Sequence, residues 1–219
     1  GQASKLRFPE FEGEEWVEVK LGSLLKEVKR MDDWDDKKLY ELISVRRRSG
    51  GIFHRENLYG YEIKTKKLKK VKTGDFLISR MQIVHGASAV VTPEFEDLYV
   101  SNSYHTLVKR KGIELDMNFF SYMSQLPYFY HLTYISSYGV HIEKMTFNLK
   151  DFLKKKVKIP GSEAEQQKIA SILKQADEEI DLLEIQKQKF EKQKKGLMQK
   201  LLTGKVRVNN LEKKDLGIR

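Results

Sequence analysis

Cysteine is absent from the 219 residues, which excludes disulfides and thiolate metal sites and fits a cytoplasmic protein. No stretch of 18 apolar residues is present, which excludes a membrane-spanning helix, and no secretory signal is visible. Signatures of catalysis are missing as well. There is no Walker loop, no glycine-rich cofactor loop after a strand, and no acidic, proline- and aromatic-rich loop of the methyltransferase kind. His54, His85, His105, His131 and His141 have no spacing that would set two on one helix face as metal ligands. The acidic segment from Met31 to Asp36 lacks the alternating ligands and distal glutamate of a calcium loop. No cofactor and no metal are expected, and the chain reads as one that binds rather than transforms.

What is present is basic charge, unevenly placed. The net charge is +10. Residues 1–44 carry eight bases and eleven acids, whereas residues 45–90 carry eleven bases and three acids. Such a local excess suits contact with phosphates, because each phosphate neutralised releases counterions. A solvated basic face is the plainer explanation. The interleaving of Arg46, Arg47 and Arg48 with Phe53, Tyr59 and Tyr61 favours nucleic acid.

A hydrophobic fraction of 40% is enough for a core, and the length allows one ordinary domain with an appendage. The pattern is that of an α+β domain of short strands and few helices. Residues 16–21 alternate and begin a strand or lead into a short helix, and Leu24, Leu25 and Val28 suggest a short amphipathic helix ending near Arg30. Strands are expected over 39–45, across the alternating lysine-rich 59–71, after the Gly74–Asp75 turn, over 87–92, and within 98–108. A helix is expected over 116–126, ended by Pro127, followed by a polar loop at 136–139. A last short strand or helix lies within 146–159.

The C-terminal part is organised differently. Residues 162–204 read as one long helix, with Ser162 as N-cap, Glu165 completing a capping box, and Gly204 as a left-handed C-cap. Ile169, Leu173, Ala176, Ile180, Leu183, Lys187, Phe190, Lys194, Leu197 and Leu201 recur at alternating spacings of four and three, a coiled-coil seam interrupted by two lysines. From Glu163 to Glu184 there are seven acids and two bases, while from Lys187 to Lys200 there are six bases and one acid. Two such helices side by side and antiparallel would bring each acidic half against a basic half. The expected division is therefore a globular domain over 1–160, a dimerisation helix over 161–204 and a polar tail over 205–219.

At both ends the sequence resembles a known family. Leu6-Arg7-Phe8-Pro9-Glu10-Phe11 with Trp16 and Lys20-Leu21-Gly22 is similar to the opening of a target-recognition domain in type I restriction–modification specificity subunits. Pro160, Glu165-Gln166, Lys168-Ile169-Ala170 and the run from Lys195 to Lys205 resemble that family's conserved spacer helix. The resemblance implies a non-catalytic subunit that binds double-stranded DNA and delivers methyltransferase subunits to a split target, with restriction requiring further ATP-driven subunits. Such subunits have two recognition domains, and this chain matches one domain and one spacer helix. Either it forms a homodimer through 163–202, or it is one half of a longer protein.

Residues that read DNA must reach base edges, where arginine suits guanine and asparagine or glutamine suits adenine. The candidates are Arg46, Arg47, Arg48 and Arg55, Arg80 with Gln82, then Ser101, Asn102 and Tyr104, and Ser137 with Tyr138. Lys64, Lys66, Lys67 and Lys69 are candidates for phosphate. Two other functions are open: a stand-alone coiled-coil DNA-binding regulator, or a metal-dependent nuclease built on a strand carrying Glu62 and Lys64 with Asp75 as second ligand.

Overall fold

The computed structural model describes residues 7–207, so Leu6 of the opening motif and the tail from 208 onward lie outside the described residues. The chain divides into two compact units, one ending at Ala170 and the other beginning at Ser171.

The first unit is α+β, with its short strands gathered into two four-stranded sheets. In the first sheet, β2 (Leu25–Val28), β9 (Tyr104–Lys109), β6 (Phe76–Ser79) and β7 (Ser88–Val90) lie in that order, all antiparallel. In the second, the order is β4 (Ile52–Tyr59), β3 (Leu39–Val45), β8 (Tyr99–Ser101) and β5 (Leu68–Lys70). Here β3 meets β8 in parallel through Leu42 and Tyr99, and a bulge at Leu42/Ile43 shifts its register with β4. Two short ladders complete the unit: β1 (Trp16–Lys20) with β12 (Lys156–Pro160), and β10 (Ser137–Tyr138) with β11 (Thr146–Phe147). The helices are the single turn α1 (Leu21–Leu24), then α2 (Met117–Met123), α3 (Pro127–Tyr134) and α4 (Leu149–Lys154).

Alternation along β6 explains the layering. Phe76 and Ile78 face the main core with Phe120, Phe129, Phe152 and Leu107, while Leu77 faces the opposite way, toward Ile43, Val45 and Val100 of the second sheet and Tyr104 of its own. The first sheet is thus covered on both faces, which is why Phe76, Leu77 and Ile78 are all fully buried and apolar. Phe76, Phe120 and Phe129 meet edge to face at centroid distances of 4.9–6.1 Å. Burying each such ring contributes about 1.5–3 kcal/mol. A third cluster, with Tyr40, Leu42 and Tyr99 under Trp34, closes the outer face of the second sheet.

Three local expectations are corrected. The helix expected over Leu24 to Arg30 does not form: the single turn α1 ends at Leu24, Leu25–Val28 pairs with β9, and Gly22 brings the backbone against Leu153, where a side chain would not fit. The strand expected over 59–71 forms only at its far end, as β5; it opens with a 3-10 turn at Gly60–Glu62 packed on the backbone of Asp35 and Asp36, and the long strand of this region is β4, ahead of it. Pro127 ends the α2 region but also opens α3 as its first residue, where its missing N–H costs nothing.

Helix α5 (Glu163–Leu202) runs for 40 residues, about 60 Å at 1.5 Å per residue. It ends as expected, with Gly204 left-handed at φ +70° and Val206 N–H donating back to the Lys200 carbonyl. The capping box is corrected: the Glu165 carboxylate binds Arg7 and Trp16 instead. In the second unit the seam is open to solvent, with Leu173 at 40%, Ile180 at 53%, Leu183 at 55% and Phe190 at 57% exposure. Ile169 belongs to the first unit and packs against its main core. No helix among the described residues is long and apolar enough to cross a membrane.

Candidate nucleic-acid interface

Most of the candidate clusters are drawn onto one rim by backbone hydrogen bonds between loops. The loop between β3 and β4 carries Arg46, Arg47 and Arg48, all exposed. Arg48 N–H donates to His85 O at 2.7 Å and Ser49 N–H to Gly86 O at 3.0 Å, seating this loop on the turn after β6. Arg80 N–H donates to Ser103 O at 2.9 Å, which joins that turn to the β8–β9 tip. Phe147 N–H donates to Arg80 O at 3.0 Å, and Phe147 pairs with Ser137, which brings in β10. Candidates read from four separate stretches of sequence therefore converge.

Within the rim, side chains differ in what they can offer. The Arg46 guanidinium lies 4.5 Å from the Phe53 ring, a cation–π contact that restrains it. Asn102 is exposed at the tip, beside the mutually bonded hydroxyls of Ser101 and Ser103. Gln82 donates its backbone N–H to Ser79 Oγ, and its Oε1 is buried without a hydrogen-bond partner among the described residues. Tyr138 is exposed and donates its hydroxyl to Asp151, a bond that raises the phenol above its ordinary value. Exposed Met81, between Arg80 and Gln82, adds apolar surface that sequence reasoning missed.

Three candidates are interior groups and leave the interface. Lys69 is 3% exposed, donates its ammonium to Tyr104 O, and is held below the usual lysine range by burial. The Tyr104 hydroxyl binds Ser44 Oγ and accepts from Val45 N–H, which ties the β8–β9 hairpin to β3. Ser137 donates to Thr133 O and is buried. Lys69 and Tyr104 fall within expected strands and are turned inward there, while Ser137, expected in a polar loop, is buried in the short strand β10.

The phosphate candidates sit elsewhere. β3 leaves the arginine loop at Val45 and reaches Leu39 six residues away, about 20 Å at 3.3 Å per residue. Lys64, Lys66 and Lys67 lie at that far end, where Lys66 pairs with Asp36 at 2.8 Å and approaches the Trp34 ring. Arg55 lies on β4 and binds the neighbouring Glu56. The nuclease reading loses its geometry. Glu62 is in a 3-10 turn and accepts Tyr59 N–H, and Asp75 is buried between Arg30 and Lys72 N–H. Those carboxylates already have structural work.

Solved structures share this fold. The HsdS subunit from Thermoanaerobacter tengcongensis matches with a TM-score of 0.65 at 16% identity, covering 90% of this chain and 49% of that one. A structure titled for complex assembly and conformational transition of the type I R-M system gives 0.64 at 15%, covering 90% and 51%. The type I restriction-modification S subunit from M. genitalium gives 0.57 at 16%, covering 90% and 47%. The fold is that of type I restriction–modification specificity subunits, and the chain spans about half the length of those it matches. The family model for the type I restriction modification DNA specificity domain matches residues 13–192, and the chain belongs to that family. No curated protein matches its sequence.

Proposed function

We propose that this chain is the non-catalytic reader of one half of a bipartite double-stranded DNA target, and that it positions methyltransferase subunits there. The observation that carries the reading is the convergence of three exposed arginines, Arg80 and the Asn102 tip on one rim, in a chain of this family. Arginine and asparagine are the side chains that pair bidentately with guanine and adenine edges. Restriction, where it occurs, needs the ATP-driven subunits in addition.

A second copy of the chain supplies the other half-site through α5. The seam supports this because it is self-complementary. About Ile185, Leu173 mirrors Leu197, Ala176 mirrors Lys194, Ile180 mirrors Phe190 and Leu183 mirrors Lys187. Antiparallel pairing then sets Lys194 over a small alanine and Lys187 beside the acidic Glu184, so neither lysine must be buried unpaired. A two-fold axis across the helix matches a palindromic target. A stand-alone regulator would use the same dimer without methyltransferase.

Co-expression with a type I methyltransferase subunit, followed by methylation mapping, tests the reading. The expected result is a palindromic motif split by a fixed gap. An asymmetric motif would mean that a different second half completes the reader. A folded complex that leaves DNA unmethylated would favour the stand-alone regulator.

A further inference from the structure

The arginine loop is held in a shape that its own sequence does not favour. Arg48 and Ser49 both adopt left-handed backbone, at φ +56° and +51°, a conformation uncommon for residues other than glycine. Two such residues in succession persist only where surrounding groups fix them. Three hydrogen bonds do so here: Arg48 N–H to His85 O, Ser49 N–H to Gly86 O, and the Ser49 hydroxyl with the hydroxyl of Tyr130 on α3. Gly86 is itself left-handed at φ +73°, and the space a side chain would fill there is occupied by the Tyr130 ring. Arg46 N–H closes the hairpin on Gly51 O at 2.9 Å.

We propose that Tyr130 is a positioning residue for DNA binding, which clamps the Arg46–Ser49 loop in its left-handed form through Ser49 and Gly86. The inference rests on the proposed DNA interface. Tyr130 reaches no DNA itself; its hydroxyl fixes the loop from behind, so the three guanidiniums need less ordering when DNA arrives. A loop released from the clamp keeps its charge and loses its fixed presentation.

The test measures binding of the full chain to a labelled mixed-sequence duplex of about 30 base pairs at low salt, where phosphate contacts dominate. Tyr130→Phe keeps the ring over Gly86 and removes the hydroxyl. It is expected to weaken binding about fivefold, the worth of one hydrogen bond, and to speed amide exchange at Ser49. In a background with Arg46, Arg47 and Arg48 all changed to alanine, Tyr130→Phe should cause no further loss. An equal loss in that background would mean general destabilisation and would overturn the clamp. So would unchanged affinity of Tyr130→Phe alongside weakened binding by the arginine variant. Unchanged affinity of the arginine variant would remove the proposed interface, and the clamp with it.

Discussion

Arg7 and Glu165 grip each other in a bidentate pair: Arg7 Nε donates to Oε1 at 3.0 Å and Nη2 to Oε2 at 2.8 Å. Trp16 Nε1 donates to the same carboxylate at 3.3 Å, and Glu165 is 1% exposed. Gln166, beside it, is fully buried. Its Oε1 accepts Asp116 N–H, and its Nε2 donates to Pro160 O and Glu114 O. The residues that carried the family resemblance at the two ends of the sequence thus meet, and their role is to anchor the start of α5 within the domain.

Gln166→Ala should therefore cost more than an ordinary surface change. It strands a backbone donor and two carbonyls in the interior, each worth roughly 1–3 kcal/mol when unsatisfied, and a total loss of about 3 kcal/mol is expected. Urea unfolding measures it. A loss under about 0.5 kcal/mol, the range of surface substitutions, would mean the anchor is not structural.

The separation between the arginine rim and the lysine cluster gives opposite expectations. Replacing Arg46, Arg47 and Arg48 by alanine should weaken DNA binding at least about tenfold, and the slope of log affinity against log salt should become shallower by about 0.9 for each phosphate no longer neutralised. Replacing Lys64, Lys66 and Lys67 should change affinity less than about threefold, since Lys66 is already paired with Asp36. Anisotropy titrations across a salt series distinguish the two, and equal losses would move the interface toward the far end of β3.

On α5, Leu183→Glu combined with Phe190→Glu places acids on the exposed seam. Dimers should vanish in light scattering while the circular dichroism melt of the globular part stays unchanged. A dimer that survives would locate self-association elsewhere.

His105 predicts a pH effect on stability. Burial holds its imidazole below the ordinary histidine range, outweighing the bond from Nδ1 to Glu27 and aided by nearby Arg80 and Lys69. A lowered folded value means the unfolded chain takes up the proton first. Stability is full above about pH 6.5 and is lost as pH falls through the folded value. His105→Gln should flatten the change in urea midpoint between neutral and mildly acidic pH, and identical slopes would count against it.

Legibility in the sequence followed periodicity. The strand at Leu39–Val45 and the helix ending at Gly204 were readable because their patterns repeat or are capped by a residue with one physical use. The strand at Leu25–Val28 was not, because its conformation is imposed by β9. Arg46 to Arg48 could be singled out by charge, but nothing local announces that Tyr130 reaches Ser49 from 81 residues away. Lys69 shows the converse failure, since a lysine in a basic run gives no sign that its strand turns it inward.

The ladder of β1 with β12 has a consequence for inheritance. Trp16 pairs with Pro160 and Lys20 with Lys156, so the chain enters and leaves the domain on neighbouring strands. Everything on the rim hangs between those two strands as one uninterrupted stretch. On the proposed function, an exchange with both crossovers in the ladder would replace the rim at once and leave the Arg7–Glu165 pair intact. On that reading a change of target comes as the substitution of one cassette whose Glu114 and Asp116 backbone must still meet Gln166.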